Sequence, residues 1–298
     1  MSIAIVSALT CILLRAILNV YDRKIFQKNN TDFLKNVVCN TFFPFLVACI
    51  VAYTLGERNR YFFTLVAQPG VILSAFGAQL AATTFYHCFS KMTVKSVVVS
   101  SKIVDLFIPL IIFIITREFN VTEYCFSCLS TLIFIPIIIM IAKSKSANYY
   151  LASLAIVCVL LFQAGINSYF AMHKFADTWP KFLSLMTCIL LWRTFFILIP
   201  YIWTWIQNFH INKETDKKQT DYLTLILRAL LGFVSQAAFF YSITRLSGNI
   251  AWPLLNSTPL VSCFTAHFFL DEAVGKTEIA VLCAFLVLST FYIFLTMY

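Results

Sequence analysis

The sequence predicts an all-α membrane protein with ten transmembrane helices, arranged as two inverted five-helix repeats. Three observations lead there. The 298 residues are 60% apolar, 16% aromatic and only 12% charged, whereas soluble domains run about 45–50% apolar and about 25% charged. The apolar residues form continuous runs, without the alternation a membrane barrel needs. The second half of the chain also echoes the first at a nearly constant offset. A membrane helix takes roughly 20 apolar residues, and about 30 with its connection. The length therefore accommodates about ten and leaves nothing for a folded extramembrane domain. A soluble enzyme, a secreted disulfide scaffold and a receptor with a folded ectodomain are excluded.

Taken in order, the segments are 2–22, 33–54, 69–90, 93–115, 121–142, 149–171, 182–206, 222–244, 247–270 and 276–297. No basic n-region precedes residues 3–20, so the first reads as a span and not as a cleavable signal. The third carries Ser74, Ala78 and Ala82 at four-residue spacing, small residues that let helices approach closely. The fourth contains Lys95, Lys102 and Asp105. The fifth and tenth contain no glycine, so close contact there must use Ala, Ser and Cys. KSKSAN at 143–148 separates the halves, 1–148 and 149–298. The stretch 208–221 (NFHINKETDKKQTD), between the seventh and eighth segments, is the only sizeable polar loop and reads as a solvated connector. Nine of the ten cysteines lie in apolar runs, where a reduced thiol packs as a small hydrophobe. Cys125 and Cys128 form a CxxC with no second ligand pair nearby, so no metal or cofactor is expected.

The repeat is visible in several places. CILLRAILNVY (11–21) aligns with CVLLFQAGINSY (158–169) with one inserted residue. The offset is 147 at Cys11/Cys158, 148 at Asn19/Asn167 and 149 at Phe33/Phe182. Glu118 before Thr122-Glu123 corresponds to Glu272 before Thr277-Glu278 at 154–155. Five is odd, so the second half must enter the membrane from the opposite side. Inverted repeats of this kind place a substrate site near the midplane and permit alternating access.

The segments VVVSSKIVDLFIPLIIFIITREFNVTE (97–123) and IAWPLLNSTPLVSCFTAHFFLDEAVGKTE (250–278) share one pattern. Each has a proline mid-span, a Glu at the helix end and then the next helix: Pro109 and Glu118 in the first, Pro259 and Glu272 in the second. This resembles the ten-helix EamA-type members of the drug/metabolite transporter superfamily, over nearly the whole chain. FYHCFSKMTVKS and FYSITRLSGNIA resemble that family's short crossings between helices three and four and between eight and nine. The resemblance implies a transporter with cytoplasmic termini. The seven glycines of this chain are fewer than the family usually carries in its packing helices.

Charges inside the bilayer are costly, roughly 3 kcal/mol or more each, so each needs water, a partner or a ligand. Five basic residues fall within the segments (Arg15, Lys95, Lys102, Arg193, Arg228), but only one acid, Asp105, lies well inside. Lys102 and Asp105 are three apart and within reach of each other. They read either as an internal ion pair or as cavity lining, with Lys102 meeting an anionic group or Asp105 taking part in proton coupling. Lys95 reads as snorkelling to the interface. Arg15 with Asn19, and Gln163 with Asn167, repeat one i, i+4 polar pair in both halves. Gln79, Gln236 and Tyr241 complete the expected lining, and Trp252 shares a face with Asn256, which has Pro253 and Pro259 on either side. For each, an interhelical hydrogen bond is the bland alternative, worth about 0.6 kcal/mol. Arg193, Arg228, His87 and His267 read as structural.

No HExxH, GxSxG, P-loop or GxGxxG occurs, which disfavours an enzyme and a primary pump. The expectation is a secondary transporter of a small polar metabolite, an anion or zwitterion such as an amino-acid derivative or a nucleotide-linked compound. The alternative is a non-transporting subunit of a lipid-flipping or assembly complex. Expected partners are that small molecule, the lipid bilayer and a coupling proton or counter-substrate, for a monomer or homodimer in a cell, inner or organelle membrane. The formal charge of +9 belongs to basic loops flanking the spans and calls for no nucleic acid. Loop charge favours cytoplasmic odd-numbered connections and outside termini. The family resemblance implies the reverse orientation, which is the one adopted.

Overall fold

A helix facing lipid should bury small residues and expose large apolar ones, and the first helix does so. In α1 (Ser2–Lys28), Ala4, Ala8, Cys11 and Ala16 are buried while Ile3, Val6, Leu9 and Leu13 are exposed. The computed structural model describes residues 2–28, 33–54, 60–117, 121–143, 147–170, 178–210, 222–245, 254–255 and 257–297. These are helical almost throughout. After α1 come α2 (Phe33–Thr54), α3 (Arg60–Val66), α4 (Pro69–Lys91), α5 (Val94–Ser101) and α6 (Ile103–Thr116). Then follow α7 (Val121–Lys143), α8 (Ala147–Tyr169), α9 (Trp179–His210), α10 (Tyr222–Arg245), α11 (Thr258–Leu270) and α12 (Lys276–Met297). Among the described residues, six stretches can cross a bilayer by length and composition: 3–26, 33–54, 94–116, 124–141, 149–169 and 179–207. Leu223–Phe239 and Thr258–Leu270 are shorter apolar helices. The chain is an integral, multi-pass membrane protein.

Two departures from the expected segments bear on function. A short helix, α3, precedes α4 and packs on α9, where Trp192 Nε1 donates to the Val66 carbonyl (2.8 Å). The fourth segment is broken at Lys102. Pro109 has no N–H for the Asp105 carbonyl, and the turn upstream tightens to i→i−3 bonds. There the Lys102 N–H donates to Val99 O (3.1 Å) and the Asp105 N–H to Lys102 O (3.2 Å). A similar i→i−3 bond, Ser257 N–H to Leu254 O (3.0 Å), precedes α11, which has Pro259 in its first turn. Lys102 and Ser257 stand 155 positions apart. The helices that follow both end in a left-handed residue, Arg117 (φ 62°) and Asp271 (φ 53°), 154 positions apart. No other non-glycine described residue has positive φ.

One apolar cluster joins α5, α7, α11 and α12 around Phe126, Phe134 and Phe285. A second joins α2, α4 and α9 around Val71, Leu185 and Cys188. The helices approach closely where side chains are small. A Cβ on Gly70 would lie 2.7 Å from the Phe170 ring, and Gly77 faces the Gln163 backbone at 3.5 Å. These two positions fix α4 against α8, and so the early helices against the late ones.

Candidate functional site

Between these two groups of helices lies a cavity of about 480 Å³. Polar groups reach it from α1 (Arg15), α4 (Ser74), α6 (Asp105), α8 (Gln163, Asn167) and α10 (Gln236), while Leu185 and Ile189 of α9 close the remaining wall. α4 and α9 contribute from their first halves, α8 and α10 from their last. The cavity therefore occupies the half of the bundle where α4 begins and α8 ends.

Its electrostatics are uneven. The Arg15 guanidinium lies 4.3 Å from the centre of the Phe239 ring and meets no carboxylate among the described residues. Asp105 Oδ2 accepts from Lys102 Nζ at 2.9 Å. Lys102 does not line the cavity. Its ammonium points back between Phe285 and Phe134, 4.9 and 5.7 Å from the ring centres, and the residue is 2% exposed. The break in the helix lets Asp105 face the cavity while its partner stays in the apolar cluster. Asn167 Oδ1 accepts from Ser74 Oγ (2.7 Å), which turns the amide NH2 away from that bond. Gln163 and Gln236 have no hydrogen-bond partner among the described residues.

Other expected residues lie off the cavity. Asn19 Nδ2 donates to Ser262 Oγ (3.0 Å), tying α1 to α11. Gln79 is buried and receives Thr41 Oγ1 (3.4 Å) and Arg193 Nε (3.2 Å) on one oxygen. Tyr241 packs beside Ala4 and Ala8. Trp252 and Asn256 lie outside the described residues, as does Glu118.

The opposite half of the bundle is filled with satisfied charge. Arg228 grips Asp22 with both edges, Nε to Oδ1 (2.8 Å) and Nη2 to Oδ2 (3.0 Å), and also donates to Tyr86 Oη (2.6 Å) and Asn40 O (3.3 Å). Nearer the end, Glu272 accepts the Val94 N–H (3.0 Å) and the Lys95 N–H (3.4 Å). Thr93 takes the next two, its Oγ1 receiving the Ser96 N–H and its carbonyl the Val97 N–H. The orphan amides of Val94, Lys95 and Ser96 at the α5 N-terminus are thereby satisfied, two of them by a residue of the chain's other half. Lys95 Nζ bonds Glu278 Oε1 at 2.6 Å and Ala273 O at 3.1 Å, so it does not snorkel as the sequence reading has it. That reading also counts Asp105 as the only acid well inside a segment. Asp22 and Glu278 are equally buried. Hydropathy ends a segment at an acid, whereas the fold supplies a cation from a distant helix. Ser74, Phe239 and Asp22 are missed as functional groups, the first two because they look like packing residues.

Residues 168–295 match the EamA-like transporter family. That match spans 128 of the 298 residues, in the later part of the chain. The members of that family are transporters. Among solved structures, one crystal structure shares the fold, with a TM-score of 0.66 over 97% of this chain and 98% of that one, at 12% identity. No curated protein matches the chain.

Proposed function

We propose that this chain is a secondary transporter of the EamA-like kind. It moves a small polar organic metabolite, anionic or zwitterionic, by alternating access between the halves 1–148 and 149–298. The observation that carries this reading is Arg15, a guanidinium in the cavity wall with an aromatic ring behind it and no carboxylate beside it among the described residues. Cation–π contact returns about 0.5–2 kcal/mol, less than holding a charge within the bilayer costs. A bound anion completes the balance. The Lys102–Asp105 pair is neutral as a unit, so the cavity's net charge is that of Arg15.

Ten crossing segments in two inverted repeats fit this mechanism. The reading is supported by the i→i−3 bonds at Lys102 and Ser257 and by the two left-handed caps, each pair at a near-constant offset. It is also supported by the cavity's position between early and late helices. A proton or counter-substrate supplies the driving force, and the coupled group facing the cavity is Asp105.

The test is uptake into proteoliposomes by the purified protein over a panel of carboxylates, phosphate esters, amino acids and amines. At least one anion or zwitterion is expected to accumulate, and Arg15→Gln is expected to raise its half-saturation constant at least tenfold. Selective uptake of amines, or uptake indifferent to Arg15→Gln, would overturn the reading.

A further inference from the structure

Besides Arg23, whose Nη1 donates to the Phe89 carbonyl, two guanidiniums are left over when the charges inside the bundle are paired. Lys102 takes Asp105 and Arg228 takes Asp22. Arg15 and Arg193 remain, and among the described residues neither meets a carboxylate. Arg193 lies four residues beyond Ile189 on α9 and therefore on the same side, about 6 Å farther from the cavity end. Its Nε donates to Gln79 Oε1 (3.2 Å), and Gln79 directly follows Ala78, which lines the cavity. Arg193 thus stands between the cavity and the Asp22–Arg228 clasp.

The acceptor that Gln79 offers is neutral and is shared with Thr41. Both terminal NH2 groups of Arg193 lack a partner among the described residues. The neighbouring layer adds more free donors, since Asn36 Nδ2 and Asn40 Nδ2 are buried and unpaired, although Asn40 Oδ1 is unpaired as well. Tying α9 to α4 requires one hydrogen bond, which a glutamine could make. A guanidinium with four idle N–H groups has no use in that tie. It does suit a carboxylate or phosphate oxygen arriving from the cavity.

Resting on the transport reading above, we propose that Arg193, held by Gln79, is a second station for the substrate's anionic group. The group leaves Arg15 for Arg193 as the paired-charge half of the bundle opens. The two arginines then divide the work: Arg15 binds in the present conformation, and Arg193 completes translocation.

The experiment uses the full chain with acetate, succinate and glycerol 3-phosphate as separate labelled probes, measuring binding in detergent and counterflow in proteoliposomes. Arg15→Gln is expected to weaken binding at least tenfold. Arg193→Gln is expected to bind within threefold of wild type, yet slow counterflow at least tenfold, with Arg193→Lys recovering a third or more. Gln79→Glu places a permanent anion in the proposed station, and is expected to raise the thermal midpoint while abolishing counterflow. If Arg15→Gln has its effect but Gln79→Glu or a folded Arg193→Gln exchanges normally, the second station is wrong and the transport reading stands. If wild type binds none of the probes, or Arg15→Gln binds as well as wild type, the anion reading falls and the station with it.

Discussion

The two buried ion pairs of this chain differ in what surrounds them. Arg228 and Asp22 come from α10 and α1, meet through two parallel hydrogen bonds and are closed in by Tyr86 and Asn40. Lys102 and Asp105 sit three residues apart across a helix break, share one bond and have the cavity on one side and two phenyl rings on the other. The first pair joins two helices that can separate only by breaking it. The second aims one carboxylate and leaves the helices free of each other. Buried charge thus acts as a clasp at one end of the bundle and as a support at the other.

The largest effect should come from opening the clasp. Asp22→Asn leaves Arg228 buried and uncompensated, which costs about 3–5 kcal/mol. A strongly lowered thermal midpoint in detergent, or loss of folded yield, is the expected outcome. Asp22→Leu combined with Arg228→Met should recover most of it, because no unpaired charge is then left buried. A single mutant as stable as wild type would show that the clasp contributes nothing.

Lys102→Met tests the support, and a smaller loss is expected. The released Asp105 faces the cavity and can be solvated there, so the cost is about 2 kcal/mol, the value of one hydrogen bond to a charged group. Methionine fits between Phe134 and Phe285. The double variant Lys102→Met, Asp105→Asn should fold nearly as well as wild type. Its uptake per folded protein then reports on Asp105 alone, since Lys102 does not reach the cavity. Near-normal uptake would leave Asp105 structural. A loss confined to proton-driven uptake, with exchange intact, would assign the coupling to it.

The two pairs also differ in how far the sequence reveals them. Lys102–Asp105 is readable because three-residue spacing puts both on one helix face. Which side of that helix meets the cavity is not, since this depends on where Phe134 and Phe285 arrive from α7 and α12. Asp22 and Arg228 are 206 positions apart, and nothing in either segment names the other. Most helical segments emerge from hydropathy to within two residues, but α1 runs to Lys28 and α9 to His210, six and four residues past the expected ends, and α3 is not among the expected segments. The helix break at Lys102 does not emerge either, because an interruption of a single residue leaves the apolar run unbroken. Arg15, Gln163, Asn167 and Gln236 are legible for the opposite reason: a polar side chain in an apolar run must go somewhere polar, and here they go to one cavity. Asn19 obeys the same rule and finds Ser262 instead, so the rule marks candidates without sorting them.

The smallest predicted effect concerns the tie at the cavity end, Ser74 Oγ to Asn167 Oδ1 at 2.7 Å. Helix–helix hydrogen bonds in membranes average about 0.6 kcal/mol. The apposition of α4 and α8 has other sources, the close approaches at Gly70 and Gly77. Ser74→Ala should therefore leave the thermal midpoint within about a degree of wild type. What it removes is the orientation of Asn167, whose NH2 is directed by the bond its oxygen accepts. If that NH2 meets the substrate, the same 0.6 kcal/mol should appear as a roughly threefold rise in half-saturation constant, with the maximal rate unchanged. Ser74→Thr, which keeps the hydroxyl, should restore the constant. A drop in the midpoint with an unchanged constant would reverse the assignment. The Ser74–Asn167 bond would then join Asp22–Arg228 as an element of the scaffold, and the contrast between the two ends would narrow to Arg15 and Asp105 alone.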